Sequence, residues 1–263
     1  MDDRAQRLEA DEPSSVALED GETLDSLFHG ELRLIQRRQG YRFSVDPLLL
    51  AAWTGRPCGR AVDLGTGCGI LPVLLALRGC RSVVGVEVQQ RLYELAARNV
   101  ALNGLSGQVE LLHADLRALR GLLRPSSFDL VVSNPPYIAA MAGNLNSLEE
   151  KAIARHELLC SLPELAAVAC GLLRQNGSFK LVFPAARLPE LFRAFSSSGL
   201  SPRRMRLVLP LPGRPAKMVL FEAVRASRCA FEALPPLYLF SEPGAYTDQA
   251  LQILEDLRAN ADS

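Results

Sequence analysis

The chain has 263 residues, 48% of them apolar, a mean hydropathy of +0.09 and no net charge, which suits one main domain with a sizeable core and excludes disorder throughout. No apolar run reaches the length of a membrane span, and the opening "MDDRAQRLEADEPSSVALEDGE" is acidic where a leader peptide is basic and then apolar, so the expected compartment is the cytoplasm. Cysteines at 58, 68, 80, 160, 170 and 229 form no CxxC, and with only three histidines they read as reduced, mostly buried thiols without a metal role.

Residues 1–22 lack apolar periodicity and are expected to be a mobile acidic tail before a single domain over 23–263. Within 23–53, "LFHGELRLIQRRQGYRF" alternates like a short hairpin, and "DPLLLAAW" follows as a helix with Asp46 as its cap and Pro47 at its first position. The core, 54–222, alternates strand and helix. "RAVDLG", "SVVGVEV", "QVELLHAD" and "FDLVVSN" are predicted strands, with helices over "ILPVLLALRG" and "QRLYELAARNVALNG" and a short helical crossover before the fourth strand. A helix near "ELAAVACGLL" leads to the strand "SFKLVF", and the helix "RLPELFRAFSSSG" leads to "RRMRLVLP" and "AKMVLFEAV", two strands with no helix between them. Those two should pair antiparallel at one edge of a mainly parallel sheet covered on both faces, and 223–263 should be a loop and closing helix. Right-handed crossovers bring every parallel strand's C-terminal end to one rim, where such sheets bind ligands.

The first core strand runs into "DLGTGCGI", in which Gly65, Gly67 and Gly69 let the backbone turn sharply and approach a ligand, with Thr66 inside the turn. The spacing is GxGxG, not the GxGxxG that seats a pyrophosphate at a helix N-terminus. The second strand ends in Glu87, where nucleoside-binding sheets keep a carboxylate for the ribose hydroxyls. Asp115 closes the third strand and either accepts from an adenine amine, with Val88 and Leu116 flanking the ring, or caps the next helix. Together these features fit adenosine without phosphate, as in S-adenosylmethionine; a dinucleotide fits less well.

The fourth strand ends in "NPPY". An aromatic exocyclic amine is a weak nucleophile, because its lone pair is delocalised into the ring. The amide oxygen of Asn134 and the carbonyl of Pro135 can hold both amine hydrogens and aim the nitrogen at a methyl carbon. Such alignment can supply part of the roughly 7–11 kcal/mol that orientation effects reach. The prolines remove two N–H donors from the site, and Tyr137 offers a face to a planar base.

With these residues the chain resembles the class I S-adenosylmethionine-dependent methyltransferases. The resemblance implies a Rossmann-like α/β sheet of seven strands in the order 3-2-1-4-5-7-6, the last antiparallel, and places Asp63 at the methionine end of the cofactor. "NPPY" is similar to the signature of amino-methyltransferases acting on adenine N6, guanine N2 or glutamine N5. Three further stretches, "GYRFSVDPLLLAAW", "NLNSLEEKAIARHELLCSL" and "LPPLYLFSEPGAYTDQALQILED", resemble the bacterial tRNA adenine-N6 methyltransferases that modify the adenosine 3′ of the anticodon in a valine tRNA. That resemblance implies a tRNA substrate and adds Phe43 and Asp46 over the cofactor and His156 at the RNA entrance, each with a packing role as its alternative. Arg33, Arg37, Arg38, Arg203 and Arg204 are candidate phosphate partners. The competing readings are a release-factor glutamine or ribosomal-RNA guanine methyltransferase and, from a different class, a non-catalytic adaptor that binds S-adenosylmethionine or RNA.

Overall fold

The apolar runs of the core are short and rich in Val and Leu, and each needs covering on both faces before it is stable as a strand. A computed structural model describes residues 17–38, 45–55, 59–135, 161–226 and 229–259. An antiparallel hairpin of β1 (Glu22–Leu27) and β2 (Leu32–Arg37) comes first, then helix α1 (Asp46–Trp53). The alternating region follows as β3 (Arg60–Leu64), α2 (Ile70–Leu77), β4 (Ser82–Glu87), α3 (Gln90–Leu102), β5 (Val109–His113), the one-turn α4 (Leu119–Leu122) and β6 (Phe128–Ser133). Beyond it lie α5 (Leu162–Leu172), β7 (Leu173–Pro184), α6 (Leu188–Ser198), β8 (Ser201–Leu209), β9 (Met218–Val224), β10 (Glu232–Tyr238), the small hairpin β11 (Phe240–Glu242) and β12 (Ala245–Tyr246), and α7 (Asp248–Ala259).

The sheet has the order β10-β8-β9-β7-β6-β3-β4-β5. From β3 to β9 this is the expected arrangement, with β9 antiparallel to both β7 and β8. The sheet has eight strands rather than seven, because residues expected to be loop form β10, parallel to β8 on the outer edge. Pro235 and Pro236 sit where the register of β10 shifts, between Leu234 and Leu237, so no ladder bond is asked of a residue without an N–H.

Alternation along the strands builds two cores. Val83, Leu130, Val132, Val182 and Leu220 face α1, α2, α3 and α7, whereas Val84, Val131, Phe179, Leu181 and Phe221 face α4, α5 and α6. Polar groups also enter the first core. Lys180 is 5% exposed and donates to the carbonyl oxygens of Thr54 at 2.8 Å and Trp53 at 3.4 Å, placing a cation at the C-terminal end of α1, where the helix dipole is negative. Glu222, 2% exposed, balances that charge at 3.5 Å and also meets Arg204 at 2.5 Å.

Helix α1 begins one residue before the expected position. Val45 is its cap and Asp46 its first residue, with Pro47 next. Glu22, assigned from sequence to the tail, is the first residue of β1, 8% exposed and bound to Arg98 of α3 at 2.7 Å.

Candidate active site

The sheet's strand order reverses beside β3: β4 and β5 build outward on one side, and β6 lies on the other. Ligands of such sheets bind in the crevice at this reversal. The glycine turn leaves β3 and Asn134 leaves β6, so the two stand on either side of it. Ser133 ties them together, its hydroxyl donating to the Leu64 carbonyl at 2.7 Å from a fully buried position. Asp115, Glu87, the glycine turn and Asn134 thus end four adjacent strands, a rim roughly 14 Å long at the usual strand spacing. Asn134 and Pro135 are half-buried there.

The turn is held by the neighbouring strand. The Gly65 and Thr66 N–H groups both donate to the Val86 carbonyl, at 3.0 and 2.9 Å. All three glycines have positive φ, 82°, 57° and 85°, but they do different work. A Cβ on Gly65 or Gly67 would meet nothing within 4 Å among the described residues, which leave this stretch of backbone bare. On Gly69 it would stand 3.0 Å from the Ala96 Cβ and 3.2 Å from its Cα, so this glycine lets the turn pack on α3.

Two acids lie under and beside the turn. Asp63 is fully buried, and its Oδ2 accepts from the Thr66 hydroxyl at 2.7 Å. Its Oδ1 has no partner among the described residues. Burial pushes the Asp63 carboxyl up to about 7; the Thr66 hydrogen bond opposes this, and the Glu87 charge adds to it. Glu87, 5% exposed, accepts from the Gly67 N–H through Oε2 and from the Gln89 N–H through Oε1, both at 2.9 Å. Each oxygen is oriented by one backbone donor and keeps a lone pair for a further one.

At the β5 end, Asp115 caps a short 3-10 turn over Leu116–Ala118, accepting from the Arg117 N–H at 2.8 Å, and it pairs with the Arg117 guanidinium. That guanidinium holds the Asp115 carboxyl below the usual carboxylate range. Val88 and Leu116 are half-buried beside these acids, and the Val88 carbonyl meets His113 Nε2 at 2.9 Å. Phe43, Tyr137 and His156 lie outside the described residues.

Several residues that position the rim were not singled out from sequence. Asn99 of α3 is fully buried; its Oδ1 accepts from the Ile35 N–H at 2.7 Å, and its Nδ2 donates to the Ile35 carbonyl at 3.0 Å and to the Cys68 carbonyl inside the turn at 2.9 Å. One turn on, Asn103 makes the same pair of bonds with Arg33, at 3.1 and 2.8 Å. The signal was present as "ARNVALNG", two asparagines four apart on a helix otherwise apolar on that side. Of the candidate phosphate partners, Arg33 donates to the Leu102 carbonyl at 3.3 Å, and Arg204 is committed to Glu222 and to the Trp53 ring, 4.7 Å away.

A family model described as "Methyltransferase small domain" matches residues 46–188, from α1 to the start of α6. Relatives named "tRNA1(Val) (adenine(37)-N6)-methyltransferase" include one from Bacteroides fragilis, 32% identical over 180 residues, covering 68% of this chain and 75% of the relative. Another, from Porphyromonas gingivalis, is 30% identical over 226 residues, covering 81% and 87%. A crystal structure from Agrobacterium tumefaciens, described as a predicted O-methyltransferase, aligns with a TM-score of 0.65 at 23% identity over 82% of this chain and 96% of that one, a likeness of fold. The chain belongs to the methyltransferase small domain family, among the proteins named as tRNA1(Val) adenine-N6 methyltransferases.

Proposed function

We propose that the protein transfers the methyl group of S-adenosylmethionine to the exocyclic N6 amine of an adenine in tRNA, next to the anticodon of a valine tRNA. The observation that carries this reading is the placement of Asn134 and Pro135 across the sheet's reversal point from a bare glycine turn. The names of the relatives supply the substrate.

The residues present fit the methyl donor. Gly65 and Gly67 leave open space where side chains would stand. Asp63 Oδ1 is a buried acceptor with no partner among the described residues, suited to the ammonium of the methionine end. The oriented Glu87 carboxylate is suited to two ribose hydroxyls, Thr66 holds Asp63, and Gly69 shapes the turn from behind. Val88 and Leu116 flank the adenine, and Asp115 accepts from its amine while sharing its carboxylate with Arg117. Phe43 and Asp46 cover the cofactor. When bound, the sulfonium supplies an electrophilic methyl carbon. The chain's own task is to hold the substrate amine, through Asn134 Oδ1 and the Pro135 carbonyl, with its lone pair toward that carbon and the base against Tyr137. No strong base is needed, because the methylated amine cation is acidic enough to lose its proton to water. Target bases are turned out of their stack for such chemistry. Arg37, Arg38 and Arg203 are the candidate phosphate partners carried forward, Arg203 because it stays exposed although 3.7 Å from Glu222.

The test is nucleoside mass spectrometry of unmodified total tRNA incubated with protein and S-adenosylmethionine. N6-methyladenosine is expected; N2-methylguanosine, a methylated protein or no product overturns the reading. Asn134→Ala should lower turnover at least ~100-fold with cofactor affinity nearly unchanged, as loss of an aligning group does.

A further inference from the structure

On the α1 face, the sheet edge formed by β8, β9 and β10 leaves a recess of about 90 Å³. Its apolar walls include Leu49 of α1, Leu220 of β9, Leu237 of β10 and Ile253 of α7, and Trp53 and Arg206 complete it. Trp53 is 9% exposed, and its indole Nε1 has no hydrogen-bond partner among the described residues; neither does the buried Nε of Arg206. Both groups can only donate. The carboxylate in this part of the sheet, Glu222, already answers Lys180, Arg203 and Arg204, at 3.5, 3.7 and 2.5 Å. Among the described residues the recess therefore has two unanswered donors, a guanidinium without a matched acid, and a hydrocarbon lining.

An occupant must bring acceptor oxygens and negative charge to Trp53 and Arg206 and carbon to Leu220, Leu237 and Ile253. At about 30 Å³ per water the volume admits roughly three waters, or an ion of a few carbons in their place. We infer that this recess is a binding site for a small carboxylate with a short apolar tail. Arg206, Leu220, Leu237 and Ile253 lie beyond residue 188, outside the stretch that matches the methyltransferase family, whereas Leu49 and Trp53 of α1 lie within it.

Trp53 is the only tryptophan in the chain, so its fluorescence reports on the recess alone. The full chain is titrated with sodium butyrate at constant ionic strength, beside n-butanol and inorganic phosphate. A saturable change with butyrate is expected, with at least a tenfold weaker midpoint for both other probes and for Arg206→Met, which keeps the side chain's length and apolar stem. Should that variant not fold, Leu237→Phe, which fills the recess from its apolar side and leaves both donors in place, is expected to abolish the response. No saturable change with butyrate would mean that water alone fills the recess and would overturn the inference. An equal response to butanol would overturn the anionic assignment, and one to phosphate the apolar tail. None of these readouts depends on methyl transfer.

Discussion

Asp63 is the residue whose chemistry depends most on its surroundings. A carboxyl raised from 3.8 to about 7 keeps its proton in the folded chain over a pH range in which the unfolded chain has released it. The folded state then binds more protons, so stability falls as pH rises through that window, complete below it and lowest above about 7. At roughly 1.36 kcal/mol per pH unit the loss is about 4 kcal/mol. Urea unfolding of the cofactor-free protein should show this decline, and Asp63→Asn should flatten it. If Asp63 meets the donor's ammonium, cofactor affinity should strengthen from about pH 6 to about pH 8 in the wild type only, as linkage requires. The sequence disclosed these residues unevenly. The sharp glycine turn and a carboxylate at the end of β4 were legible because a left-handed backbone calls for glycine and an acid closing an apolar strand stands out. The unpartnered Asp63 oxygen was not, because it depends on how Thr66 and Glu87 are placed after folding.

The helix α3 does more than cross between β4 and β5. The amides of Asn99 and Asn103 face Ile35 and Arg33, alternate residues of β2, and each satisfies both an N–H and a carbonyl as a neighbouring strand would. Only Asn99 also reaches the glycine turn. Asn99→Ala strands three buried backbone groups at roughly 1–3 kcal/mol each, so a loss of at least about 3 kcal/mol is expected. Cofactor affinity should fall with it, whereas Asn103→Ala should loosen the hairpin and leave affinity within about twofold. Calorimetric titration of both variants distinguishes the two effects. Helix and strand positions in the core were readable because apolar period and turn chemistry agreed there. β10 was hidden because "EALPPLY" carries two prolines, which argue against a ladder; the register shift that accommodates them exists only beside β8.

In the molecule as a whole, the sheet brings the glycine turn, Glu87, Asp115 and Asn134 to one rim and leaves its far edge to the C-terminal elements. β10 covers β8, while α7 packs on α1 and buries Leu257 and Ala250. Ending the chain after residue 226 should uncover the β8 ladder and the apolar side of α1 together. Unpaired strand edges with exposed apolar surface associate. Size-exclusion chromatography should then show concentration-dependent association and calorimetry a lower melting temperature. Two features of the core bear on this: Lys180 at the end of α1 and Glu222 beside it bind helix to sheet by charge as well as by packing.

The amide contacts of α3 with β2 join residues 64 and 70 positions apart. A ribosome adding about 5–20 residues per second needs on the order of 3–14 s to cover that distance. Through that interval the nascent hairpin has been translated but its docking surface has not, so an element made before the core is among the later parts to settle.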